Sequence, residues 1–221
     1  MRPDSSPRGA GPDLAFIHRF EVGSNDDTVL LLHGTGGDEN DLIGIGRGVA
    51  PNASLLSPRG QVLENGMPRF FRRLDVGVFD EADLILRAGD LGRFVRAAAK
   101  RYSFDPVRVR ALGYSNGANM AAALLLLDPE LLAGGALLRA VLPLTPDRPP
   151  DLSGKSVLIA AGRRDPYAAI ERVEALADQL RRVGASVDLR WTEGGHELDS
   201  DEIDAVAEWL GGPTVSPRKA P

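Results

Sequence analysis

The stretch Val107 to Leu127 reads VRVRALGYSNGANMAAALLLL, and its two halves differ in character. Val107, Val109, Ala111 and Leu112 form an apolar run, and Ala118 to Leu127 is a run of helix formers. Between them stands Gly113-Tyr114-Ser115-Asn116-Gly117, which fits G-x-S-x-G. A strand that turns sharply into a helix around such a pentapeptide projects its serine above a sheet. The pattern alone is unspecific, so its surroundings must carry the reading.

Outward from that stretch, the chain alternates between strand-like and helix-like segments. Thr28 to His33 (TVLLLH) is a continuous apolar run closed by glycine, as a strand buried on both faces would be. Phe16 to Val22 alternates in part and reads as an edge strand, and Ala53 to Ser57 as a shorter strand stopped by Pro58. Gly135 to Leu142 and Ser156 to Ala161 are strand-like, and Ser186 to Trp191 alternates. Leu84, Ile85, Leu91, Phe94, Val95 and Ala98 give Asp80 to Tyr102 helical spacing, which Gly89 and Gly92 weaken. Ala168 to Val183 carries an apolar stripe with Gly184 as its stop, and Ile203, Val206, Ala207 and Leu210 mark a last helix. Strands alternating with helices imply an α/β fold with a mostly parallel central sheet and helices on both faces. No repeat or long linker interrupts it. Residues 13–212 read as one domain between disordered tails at 1–12 and 213–221, both rich in proline.

Composition excludes several classes of function. The 221 residues carry a net charge of -5, whereas a nucleic-acid surface normally needs a basic face. The absence of cysteine removes disulfides, zinc-thiolate sites and a cysteine nucleophile together. The longest apolar run is too short to span a bilayer, and the first twelve residues lack the apolar core of a secretory signal. A cytoplasmic location is the default expectation. Asp38-Glu39-Asn40-Asp41 reads as an acidic first helical turn rather than a metal site. Gly44-Ile45-Gly46-Arg47-Gly48 follows no predicted strand, so no dinucleotide or other cofactor is expected.

A serine hydroxyl needs a base within hydrogen-bond reach, itself held by a third group. Three histidines are available. His18 lies in the first edge strand and reads as a surface residue. His33 ends the TVLLLH run, near the face where strand ends would form a site. His196 lies in Glu193-Gly194-Gly195-His196-Glu197-Leu198, a glycine-rich loop after the last predicted strand, and is the expected base. Asp165 follows the strand SVLIAA and Pro166 delays the next helix, which makes it the expected orienting acid. The order Ser115, Asp165, His196 is the one an α/β-hydrolase arrangement requires. An oxyanion hole would take one N–H from Asn116 and one from the loop His33-Gly34-Thr35-Gly36-Gly37, with Thr35 the expected donor.

Together LLHGTGGDENDL, MPRFFRR, GYSNGANMAAALLLL, AGRRDP and GGHEL resemble the phospholipase/carboxylesterase family of small α/β-hydrolases over Phe16 to Leu210. Within it the resemblance is greatest to bacterial carboxylesterases grouped with hydroquinone-stress hydrolases. It implies Ser115, Asp165 and His196 as triad, Thr35 and Asn116 as oxyanion hole, a minimal lid and frequent homodimers. It also implies hydrolysis of short-chain alkyl or aryl esters, while relatives act on lysophospholipids or acyl-thioesters. Asn116 stands where the lysophospholipase and thioesterase branches usually carry Gln, which weakens a lipid reading. A non-catalytic binding protein would typically have lost a triad member, and all three are present.

Met67-Pro68-Arg69-Phe70-Phe71-Arg72-Arg73 reads as a loop with two alternatives. Phe71, Arg72 and Arg73 could line the substrate pocket and favour an anionic or aromatic substrate. Alternatively the loop is solvated, with Phe70 or Phe71 packed into the core.

Overall fold

The computed structural model describes residues 14–211; the segments read as disordered tails lie outside them. In chain order the elements are β1 (His18–Glu21), β2 (Thr28–Leu32), α1 (Ile43–Val49), β3 (Ser54–Pro58), β4 (Val62–Glu64), β5 (Met67–Arg69), β6 (Arg73–Asp75) and β7 (Val78–Phe79). There follow α2 (Glu81–Tyr102), β8 (Val109–Tyr114), α3 (Asn116–Leu127), β9 (Gly134–Leu138), β10 (Ser156–Gly162), α4 (Ile170–Arg182), β11 (Ser186–Thr192) and α5 (Ser200–Gly211). Seven strands form one sheet in the order β1-β3-β2-β8-β9-β10-β11, and only β1 runs antiparallel, against β3.

The sheet divides the core in two. Leu30 and Leu32 of β2 face α2, α3 and α4, where they join Leu91, Leu124 and Leu176. Val29 and Leu31 face α1 and α5, with Ile43, Val206 and Leu210. Alternate residues serve opposite layers, so a strand covered on both sides must be apolar throughout. Helix α3 is buried from Asn116 to Leu126, which is why its sequence is apolar on every side rather than striped. Helix α4 buries one side, Val173, Leu176, Ala177 and Leu180 together with Gln179, and there the stripe is clear. Among the described residues no helix is long and apolar enough to cross a membrane.

Some elements depart from the expectations. The acidic cluster Asp38 to Asp41 precedes α1 instead of forming its first turn. Arg59 holds Glu39 with two hydrogen bonds of 2.5 and 2.8 Å, and Asp38 accepts the Asn40 N–H at 2.7 Å, which fixes these residues as loop. The strand expected over Gly135 to Leu142 stops at Leu138, because Arg139 turns into the left-handed region with φ 61°. The MPRFFRR segment is not a plain loop. Met67–Arg69 pairs with Val62–Glu64 around Asn65-Gly66, both at positive φ (52° and 80°), and Arg73–Asp75 pairs with Val78–Phe79. These two small hairpins fill the chain between β3 and α2.

The strand-to-helix turn at Ser115 fixes where chemistry can occur. Ser115 has φ 53° and ψ -114°, a combination most L-residues avoid. Its N–H donates to the Leu138 carbonyl at 2.8 Å, and its own carbonyl accepts the Asn119 N–H at 2.9 Å. The turn is that tight because α3 is pressed against β2: a Cβ on Gly117 would lie 2.0 Å from the Leu32 carbonyl oxygen. On Gly113 it would lie 2.7 Å from the Ala118 backbone. We therefore expect Gly117→Ala, which collides with backbone that cannot rotate away, to lower Tm by about 4 °C or more in thermal unfolding. An unchanged Tm would contradict this packing.

Candidate active site

Three strand ends deliver the polar side chains. Ser115 follows β8, Asp165 follows β10 after a three-residue step, and His196 hangs in the loop after β11. Asp165 is buried, and its Oδ1 accepts the N–H groups of Tyr167 and Ala168 at 2.8 and 3.2 Å. Its Oδ2 accepts the Nδ1–H of His196 at 2.7 Å. The opposite ring nitrogen, Nε2, then accepts the Ser115 hydroxyl at 2.9 Å. Carboxylate, imidazole and hydroxyl in that order can draw a proton from the serine and stabilise the imidazolium that results.

The histidine loop is braced from both sides. Arg163 and Arg164 N–H groups donate to the Thr192 and Gly194 carbonyls at 2.9 and 3.0 Å, stitching the aspartate turn to the histidine loop. The Tyr114 hydroxyl donates to the His196 carbonyl at 2.9 Å. Tyr167 stands edge-on to the imidazole, ring centres 5.0 Å apart.

Thr35 and Asn116 face the same cavity as Ser115 and His196. Neither backbone N–H has a hydrogen-bond partner among the described residues. For Asn116 this follows from its place in the first turn of α3, where N–H groups have no carbonyl behind them and the helix dipole is positive. The Asn116 side chain makes a different connection. Its Oδ1 accepts the Phe70 N–H at 2.7 Å, tying the turn to the hairpin segment.

The other histidines lie away from this relay. His18 is half-buried rather than a surface residue, with its Nδ1–H donating to the Phe16 carbonyl and its Nε2 accepting the Tyr102 hydroxyl, both at 2.7 Å. His33 is buried beneath the Thr35 loop. Its Nδ1–H donates to the Gly34 carbonyl at 2.6 Å, while Nε2 accepts the Gly60 N–H at 2.9 Å. Those partners require the neutral ring, and burial pushes its pKa below the ordinary 6.5.

The cavity holds about 270 Å³. Val76, Phe79 and Val141 give it apolar walls, and Arg69, Arg73 and Arg139 line it with charge. Of the expected pocket residues, Arg73 lines it. Phe71 is fully buried in the core, ring to ring with Phe79, and Arg72 points to solvent and pairs with Asp80 at 2.8 Å. Phe71 and Arg72 lie in the bend between the two hairpins, where Phe70 and Phe71 turn inward together and Arg72 is left on the surface. Arg163 stacks over Trp191 and Arg164 donates to the Glu193 carbonyl, so neither forms the cavity wall.

Arg139 was not indicated by the sequence. Its side chain is fully buried; both terminal nitrogens engage the Glu202 carboxylate, and Nη2 also donates to the Glu197 carbonyl at 2.6 Å. Its Nε lies 4.0 Å from Asp165 Oδ2. The guanidinium thus ties α5 to the histidine loop and places a positive charge beside the buried aspartate. A charged residue at the carboxyl end of an apolar strand is the one signal that could have singled it out. Among the described residues no group of three or more His, Asp and Glu is arranged to hold a metal ion.

Residues 21–211 match the model of the family described as Phospholipase/Carboxylesterase. The chain belongs to that family. MhqD of Bacillus subtilis (strain 168), which carries a hydrolase name, is 47% identical over 192 residues, 87% of this chain and 96% of that protein. The Bacillus cereus carboxylesterase structure is 45% identical with a TM-score of 0.85, over 87% of this chain and 92% of its own. A carboxylesterase structure from Mesorhizobium loti is 35% identical with a TM-score of 0.80, over 86% and 91%. This phospholipase/carboxylesterase family member is a carboxylic ester hydrolase.

Two outcomes follow from the buried groups. As pH falls below about 6.5, the unfolded chain protonates His33 while the folded chain resists, so folding stability declines. Between pH 7 and 5, His33→Gln should lose less Tm than the unsubstituted protein; equal losses would contradict the neutral buried ring. Arg139→Met leaves Glu202 as an uncompensated buried charge, and urea unfolding should register a loss of about 3–5 kcal/mol. Adding Glu202→Leu should recover part of that loss.

Proposed function

We propose that this family member is a serine carboxylesterase for small, short-acyl alkyl or aryl esters, working through an acyl-enzyme. His196 takes the Ser115 proton as Oγ attacks the ester carbonyl, and Asp165 holds the imidazole in the tautomer that can accept it. The Thr35 and Asn116 N–H groups receive the developing oxyanion. His196 then protonates the departing alcohol, and water repeats the sequence on the acyl-enzyme.

The observation that carries the reading is the continuous relay from Asp165 through His196 to Ser115, facing a cavity with two unpartnered N–H groups. The short-acyl preference draws support from volume. About 270 Å³ lies just below the usual span of ligand pockets, about 300 to 1,000 Å³. An acyl-thioesterase or lysophospholipase would use the same residues on a longer acyl donor, and the small cavity speaks against it.

Ser115→Ala should reduce kcat on p-nitrophenyl acetate by about ten-thousand-fold or more while leaving the unfolding transition in place. Across a p-nitrophenyl series, kcat/KM should peak at acetate to butyrate and fall at octanoate. Wild-type turnover in Ser115→Ala, or a peak at long chains, would sink the corresponding half of the proposal.

A further inference from the structure

Two guanidinium groups on the hairpin wall share a single carboxylate. Arg73 on β6 places Nε and Nη2 on one oxygen of Glu64, at 2.9 and 2.7 Å. Arg69 on β5 brings its own Nε to 3.1 Å from the other oxygen. Two positive charges against one negative leave one surplus positive charge. Both arginines line the cavity that holds Ser115 and His196, and the third cation there, Arg139, is matched by Glu202. Among the described residues lining that cavity none is Asp or Glu.

This surplus lies close to the reacting centre and is poorly hydrated. The Arg69 side chain is 4% exposed, and its Nη1 donates to the Thr35 hydroxyl at 2.6 Å, one side chain away from the Thr35 amide. Burial lowers the affinity of Arg69 for its proton, Glu64 counters this, and Arg73 adds to the lowering. The group nonetheless stays charged, as guanidinium does in proteins. Arg73 is 27% exposed, so a ligand can reach it. A purely apolar acyl chain entering here would strip water from a cation and return nothing. A carboxylate would replace that water with charge-assisted hydrogen bonds, for which the planar guanidinium fork is suited.

We propose that Arg73, backed by Arg69, forms a carboxylate-recognition subsite, and that the preferred substrates are monoesters of short dicarboxylic acids. This rests on the ester-hydrolase reading of Ser115. Hydrolysis breaks the acyl C–O bond, joins the hydroxyl of water to the acyl carbon, and gives the remaining hydrogen to the departing alcohol. The second carboxylate is untouched and serves only for recognition.

The test compares monomethyl glutarate with its primary amide, which has the same length and no charge. A second pair, acetoxyacetate and its amide, puts the charge on the alcohol side. We expect kcat/KM for monomethyl glutarate to exceed that for its amide by about tenfold or more, and the ratio to shrink as salt is raised. Arg73→Gln should bring the ratio to near one, and Arg73→Lys should keep part of it. Glu64→Gln should raise the ratio, because it releases the shared cation; a merely structural role for Glu64 would depress both esters alike. A ratio near one in the unsubstituted protein, a ratio indifferent to Arg73→Gln, or a preference confined to acetoxyacetate would overturn the subsite. In each of those cases turnover of the uncharged esters would leave the esterase reading intact. Failure of the folded protein to turn over any of the four would overturn both.

Discussion

The approach of helix α3 to the end of strand β2 is the constraint on which the site depends. With no side chain on Gly117, the first turn of α3 rests against the Leu32 carbonyl, closer than any other residue would allow. That contact forces Ser115 into its positive-φ turn and lifts its hydroxyl above the sheet. It also brings the Asn116 N–H and the Thr35 loop to one side of the same cavity. The strain is local, and the buried layers on either side of β2 hold it in place.

Buried polar contacts then set the remaining geometry. Asp165 is held by two backbone N–H groups and the imidazole, and Arg139 sits beyond it, joined to Glu202. His33 fastens the Thr35 loop to Gly60, while Asn116 fastens the serine turn to Phe70. Loops on the sheet's carboxyl edge are thereby tied to one another through buried side chains. The hairpin wall differs, since there two arginines lean on one acid and a charge is left over.

Much of this was legible in the sequence because the chemistry allowed few choices. With three histidines and no cysteine, only His196 followed a late strand in a glycine-rich loop, and only Asp165 followed the preceding one. The strands β2 and β10 were plain because burial on both faces leaves a nearly unbroken apolar run. What escaped was set by backbone conformation rather than by pattern. Arg139 lies inside a run that reads as strand through Leu142, and nothing in Leu137-Leu138-Arg139-Ala140 announces a left-handed turn at a non-glycine residue. The hairpins are too short to show alternation, although Asn65-Gly66 is a strong turn signal that could have revealed the first. Without that register, Arg69 and Arg73 could not be separated from Arg72, which lies between them in sequence yet points to solvent.

The central claim is that Ser115 becomes covalently acylated. Intact mass taken during the first turnovers of p-nitrophenyl acetate, followed by peptide mapping, tests it most directly. The account predicts an early release of about one equivalent of nitrophenol per chain and a single acetyl adduct on Ser115. Turnover with no adduct on any residue, or with the adduct on a residue other than Ser115, would contradict it.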